Sequence, residues 1–426
     1  MTSRRTRVLI VSAGLLASAP ASAQGAPEAC SVSAGTPRRV ELPDGRIVSV
    51  DVQSIVQSRG SIFAIGRHAY VFPRITTPVT SPIMRDSIIG FEIEPGGAIS
   101  LVPAPPLSRP VFFPKVAAGL DGFHAVFATS GDSAGTRAGK QDTATIWYAR
   151  YADRKWTVPE RVTSVRRAYL QHELTSELLE RNGTLSWAFT YADSWDVLAP
   201  GGVVLFQRRR DTWSADTLHT LTVAGLVRLL DTADDSVVAL LARGDVRGTG
   251  PTIHAQLYLA WFTSSWSEPR LIAGDGRREL TLPILRTIGD DIVVSWDNWI
   301  PWRPESSRIE WLKVGRDGLL VNESIIADGA KTYPFEFIVV DDRYPVWLYH
   351  GEPFGSTIEL ASATDTSVMP LGNVSAPFGS PKPKSVALDR SQALVLTLQQ
   401  GRRPDEPMVA SWMTTLKFRC PRSARR

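Results

Sequence analysis

One unit recurs along this chain, and a recurring unit restricts the possible folds more than any single motif does. It consists of a short apolar strand, a tight turn, a strongly apolar strand, a longer polar stretch, an alternating strand, a second tight turn and a final strand. Its most regular member is the second strand: SIFAIG from Ser61, HAVFAT from His124, LSWAFT from Leu185, VVALLA from Val237, IVVSWD from Ile292, PVWLYH from Pro345 and ALVLTL from Ala393. Successive starts lie 63, 61, 52, 55, 53 and 48 residues apart, which makes seven units. From the second unit on, each is preceded by LDGF, RNGT, ADDS, GDD, DDRY or DRSQ, sequences suited to closing a hairpin. Helical periodicity is nearly absent, and even HELTSELLER (His172 to Arg181) reads as mostly strand.

Four antiparallel strands repeated at about this spacing are the mark of a β-propeller blade. The chain is therefore expected to be an all-β, seven-bladed propeller, with six blades as the alternative. The last unit has only three strands of its own, while RRVELP (Arg38 to Pro43) stands near the start without a hairpin partner. That segment can complete the last blade and close the ring. The two cysteines, Cys30 and Cys420, lie near opposite ends, and a disulfide between them would pin the same seam. Closing so long a loop is worth about 4 to 5 kcal/mol in the chain-entropy model.

The second halves of the units also carry a resemblance. IWYARYADRKWTVPERV and LAWFTSSWSEPRLI share an aromatic strand, a short turn, a tryptophan and a Pro-x-x-aliphatic ending, with Trp156, Trp213 and Trp266 in one place each time. This pattern resembles the repeats of sialidase-like (BNR-type) propellers. The resemblance implies the fold. It carries over no activity, because the family's Asp-box, Ser-x-Asp-x-Gly-x-x-Trp, does not occur intact and no arginine triad, nucleophile pair or acid aspartate can be matched. The three tryptophans are expected to be structural.

The first residues have an Arg-rich start, an apolar run from Val8 to about Ala17 and the small-residue pattern Ala21-Ser22-Ala23. These are the parts of a cleaved signal peptide. Residues 1–23 are thus expected to direct a bacterial-looking chain to a secreted or periplasmic location, 24–420 to form one propeller domain and 421–426 a basic tail. The net charge is +4, with several cations in the leader and the tail, so the folded body is close to neutral and nucleic acid is not an expected partner. No later apolar run is long enough to span a bilayer. The six histidines are scattered, and neither a metal site nor a cofactor motif is expected.

The long stretches between second and third strands, such as Tyr191 to Gly201, Asn298 to Ser307 and Gly351 to Ser356, should all emerge on one face. Function on a rigid scaffold tends to gather on such loops. The stretch WDNWIPWRPE (Trp296 to Glu305) divides under the repeat. Trp296 falls in a packing column with Ala128, Phe189, Leu241, Tyr349 and Thr397. Asp297 and His350 fall in the next column, with Thr129. Trp299, Trp302 and Arg303 owe nothing to the repeat; their indoles could stack on sugars or anchor a protein, or pack as a small roof over the loop. Tyr191, Trp195, Asp196 and Glu352 join them as candidate ligand-binding residues. The expected partner is a glycan or an extracellular or periplasmic protein. Paired carboxylates drawn from Asp196, Asp297, Glu305 and Glu352 would instead make the same face a glycoside hydrolase, and a scaffold that only mediates assembly is the third reading.

Overall fold

The computed structural model describes residues 30–421 apart from 73–88, 109–110, 131–142, 167–175, 193–200, 221–223, 232–236, 246–252, 275–277, 301–302, 316–318, 329–334, 351–356, 365–366, 376–382 and 400–409. These residues form seven antiparallel sheets and no helix, so nothing among them is a helix long and apolar enough to cross a membrane. The leader and the basic tail lie outside the described residues.

Six blades take four consecutive strand positions each. The first is Ile47–Ser58, Ser61–Phe72, Ile89–Ile93 and Ile99–Val102. The second is Val111–Gly119, Gly122–Ser130 and Thr143–Ala152, with its outer edge shared by Lys155–Trp156 and Glu160–Arg166. The third is Ser176–Arg181, Thr184–Ala192, Gly201–Arg209 and Thr212–Thr220; the fourth is Ala224–Asp231, Val237–Asp245, Ile253–Phe262 and Arg270–Ala273. The fifth is Glu279–Ile288, Asp291–Ile300, Arg303–Val314 and Leu320–Asp328, and the sixth is Phe335–Val340, Tyr344–His350, Thr357–Ala363 and Val368–Ser375.

The seventh blade is composite. Lys384–Asp389, Gln392–Gln399 and Ala410–Arg419 receive their outer strand from the start of the chain, Ser31–Ala34 and Arg38–Arg39. Ser31 pairs with Arg419 and Arg38 with Met413, so the closing strand begins earlier than Arg38 and is broken between its two parts. The Cys30–Cys420 disulfide joins the two ends at this seam.

Apolar side chains on alternate residues send one set to each neighbouring blade. The result is seven separate hydrophobic cores, one in each gap between blades. The cores also settle the strand alignment. Trp187 and Phe189, Trp296, Trp347, and Val395 all face the preceding blade, but in the first two blades the equivalent residues are offset by one. Phe127, not Ala128, faces the preceding blade in the second, so the expected column of Ala128 and Thr129 is slipped by one residue. The repeating tryptophans are structural. Trp156 meets Phe63 of the first blade edge-on at 6.1 Å, Trp213 meets Tyr148 of the second at 5.7 Å, and Trp266 meets Phe262 at 5.2 Å in the core between third and fourth blades.

The two faces of the ring are built differently. One carries the hairpin turns, five of which have both central residues left-handed: Arg59–Gly60, Asp153–Arg154, Asn182–Gly183, Arg210–Asp211 and Asp341–Asp342. This is the mirror-image turn that matches strand twist. The other carries the connections between second and third strands and between blades; it is the loop face.

Candidate functional site

The expected loop Asn298 to Ser307 is not a loop. The second strand of the fifth blade runs on to Ile300 and the third begins at Arg303, with Ile300 paired to Arg303, so only residues 301–302 lie between them. Ladder pairing at Ile300 and Arg303 outweighs the two prolines that suggested an irregular segment. Ser306 ties the tip down: its hydroxyl accepts from the Ile300 backbone N–H at 2.7 Å and donates to the Arg303 carbonyl at 2.6 Å. The result is a braced hairpin arm on the loop face, with Trp299 paired to Glu279 in its backbone register and the exposed Arg303 at its end.

Strand alternation sorts the polar residues at the base of this arm. Trp296 is 4 % exposed and packs in the core shared with the fourth blade, as expected of a packing position. Asp297 therefore faces the sixth blade. It is 2 % exposed and accepts a hydrogen bond from the Ser307 hydroxyl at 2.6 Å. Glu310 lies opposite Trp296 in register and so shares its face. On that face Asn298 donates from Nδ2 to Glu310 Oε2 at 2.6 Å, and Arg308 stands 3.6 Å from Glu310 Oε1. The Asn298 side-chain amide oxygen is buried with no hydrogen-bond partner among the described residues.

Across the seam, the Tyr349 phenol is pushed up to about 12 by burial, and the Glu359 carboxylate that it hydrogen-bonds adds to the shift. Ser295 Oγ accepts from Trp347 Nε1 of the sixth blade at 2.8 Å and donates to the Glu310 carbonyl at 2.9 Å. Asp297 and Glu310, though only thirteen positions apart in a single hairpin, point to opposite sides of the sheet.

Of the expected ligand residues, only Asp297 and Arg303 have described side chains. Asp297 is brought into the buried base of the arm and Arg303 to its exposed end. Tyr191, Trp299 and His350 belong to strands by their backbone, and their side chains lie outside the described residues, as do Trp195, Asp196, Trp302 and Glu352 entirely. Asn298, Ser306, Ser307 and Glu310 were not anticipated. Ser306 and Ser307 follow two prolines in a stretch read as loop, and only pairing across the arm reveals what they hold. Among the described residues no group of His, Cys, Asp and Glu is arranged to hold a metal.

A second set of titratable side chains lies in the seam between second and third blades. His124 Nδ1 is 2.8 Å from the Tyr148 hydroxyl, and the two rings are nearly parallel. The Arg208 guanidinium lies 4.6 Å from the centre of the Tyr148 ring and pairs with Glu160 at 3.2 Å and Asp211 at 2.7 Å. Burial pushes His124 below the ordinary histidine value, more strongly than nearby Asp121 raises it, and burial pushes Tyr148 up. Gly119 makes room for this: a Cβ there would fall 2.2 Å from His124 Nε2. The packing is that of a join between blades.

No protein-family model matches the chain, and no curated protein matches its sequence. Its fold is similar to that of the polysaccharide lyase Uly1, with a TM-score of 0.54 at 9 % identity over 86 % of this chain and 89 % of that one. It is equally similar to an ulvan lyase of polysaccharide lyase family PL25, at 0.54 and 10 % over 89 % and 95 %. The Trypanosoma rangeli sialidase is more distant, at 0.40 and 9 % over 92 % and 60 %. Identities this low show a shared propeller fold.

Proposed function

We propose that this protein is an exported propeller that binds a polysaccharide across its loop face, with the fifth-blade arm as the principal contact. The observation that carries this reading is the bracing of the arm by Ser306, which presents a stretch bearing Trp299, Trp302 and the exposed Arg303 on a rigid support. Rigid aromatic groups bind sugar faces at little entropic cost, and a guanidinium adds a two-pronged contact to an acidic substituent. The fold shared with two proteins described as polysaccharide lyases supports a glycan over a protein partner. Binding is favoured over hydrolysis because Asp297, the described member of the carboxylates a hydrolase would draw on, is buried and hydrogen-bonded to Ser307. The Cys30–Cys420 disulfide fits an oxidising compartment and so supports residues 1–23 as an export signal.

A polysaccharide array probed with the mature protein and with Trp299→Ala/Trp302→Ala tests the reading. Binding should fall at least about tenfold in the double variant, given the weight that central aromatic contacts carry. Equal binding by both would overturn it. N-terminal sequencing of the mature chain should begin at Gln24.

A further inference from the structure

The turn face has a cavity of its own. Two hairpin turns of the first blade and two of the second enclose a cleft of about 350 Å³. That is the size of a small-ligand pocket. Its walls carry four carboxylates, Glu92, Glu94, Asp121 and Asp153, against two guanidiniums, Arg59 and Arg154. Arg154 is committed to Glu94, and Arg150, behind the wall, to Asp121. Glu92 and Asp153 make no ion pair with a described residue, so the cleft keeps an excess of negative charge.

A second, independent observation comes from Tyr151 beneath these acids. It is 2 % exposed and packs against Phe63 and Trp156, yet it also lines the cleft. The Tyr151 phenol hydrogen-bonds no described residue, although the Glu92 charge acts on it. A phenol on a nearly buried tyrosine, with no hydrogen-bond partner among the described residues and at the wall of an open cleft, is placed for something outside the chain.

We propose that this cleft binds a primary ammonium ion carried on a short apolar stem. An ammonium has three donors and no acceptor, and Glu92, Asp153 and the Tyr151 oxygen supply three acceptors. The neighbouring Phe123, 5 % exposed and also in the lining, supplies apolar surface for the stem. The site lies on the face opposite the arm and stands whether or not the arm binds a glycan.

Calorimetric titration of the full mature chain at low ionic strength tests it, with n-pentylammonium as probe and 1-pentanol as its neutral counterpart. The amine should bind at least about tenfold more tightly than the alcohol, the scale of a charge-assisted hydrogen bond. Glu92→Gln and Asp153→Asn should each weaken the amine by about tenfold and leave the alcohol unchanged. Asp153→Asn tolerates the left-handed turn conformation at φ 50, so this variant folds even where Tyr151→Phe does not. Glucosamine binding above N-acetylglucosamine, or Nα-acetyl-lysine amide above its Nε-acetylated form, supports the proposal and identifies the source of the amine. Equal affinity for amine and alcohol, or an unchanged amine affinity in both carboxamide variants, overturns it.

Discussion

Between the fifth and sixth blades the gap is filled mainly by aromatic rings; between the second and third, a cluster of charged and titratable side chains joins the packing. In the first seam Trp311, Trp347 and Phe337 stack, and the single indole N–H of Trp347 is absorbed by Ser295, which passes its own proton to a backbone carbonyl. In the second, His124, Tyr148 and Arg208 lean on one another and on Glu160. Both join one blade to the next. The comparison teaches that the propeller requires each gap to be filled and leaves the chemistry of the filling free. The aromatic seam should therefore respond to lost volume, and the charged seam to salt and pH.

The largest effect is expected from Trp347→Ala, which empties a fully buried site and removes the donor to the Ser295 hydroxyl: about 4 kcal/mol of stability in denaturant unfolding. The cost should be the same in low and high salt. Arg208→Ala should cost about 2 kcal/mol by removing the cation over the Tyr148 ring together with its ion pairs. Unlike the tryptophan variant, its cost should shrink in 0.5 M salt, an ionic strength chosen at roughly a 4 Å screening length. Equal salt dependence of the two variants would erase the contrast. Tyr148→Phe should cost about 1 kcal/mol, the worth of its bond to His124.

Acid distinguishes the seams further. His124 is held below the ordinary histidine value in the folded chain. Below about pH 6.5 the unfolded chain therefore takes up a proton that the folded chain refuses, and stability falls as pH drops from there toward the folded value. Above that pH its contribution is fully present. Thermal melts of wild type should show this decline, and His124→Gln should remove that part of it. The smallest effect is a gain. Arg210, with φ 46, shares a hairpin with Arg208 but stands outside the charged seam, and Arg210→Gly should stabilise by up to about 1 kcal/mol by relieving a left-handed non-glycine residue. A loss there would mean that the turn belongs to the network after all.

Much of this architecture is legible before any coordinates. The seven second strands are near-continuous apolar runs bounded by turn signals, and all seven occur where those runs lie. Parity within a run is harder to read. HAVFAT has no polar residue in its middle to mark which side faces which neighbour, and the alignment slipped there by one, exchanging Phe127 for Ala128. The arm was misread for the opposite reason: its prolines and charges look irregular, and the Ser306 contacts that make it regular span the hairpin. The turn-face cleft left no trace in the sequence, because it is assembled from four turns of two blades whose only shared property is position.

The composite seventh blade sets a timetable. Ser31–Ala34 has no partner until Ala410–Arg419, far later in the chain, has been made. At roughly 5–20 residues per second of synthesis, the 390 residues between the two cysteines represent about 20 to 80 s of waiting. Throughout that interval the newborn strand and its thiol are available to any chaperone, neighbouring chain or stray oxidant. The ring thus closes only when its seventh blade is complete, and the strand made earlier is the one that waits.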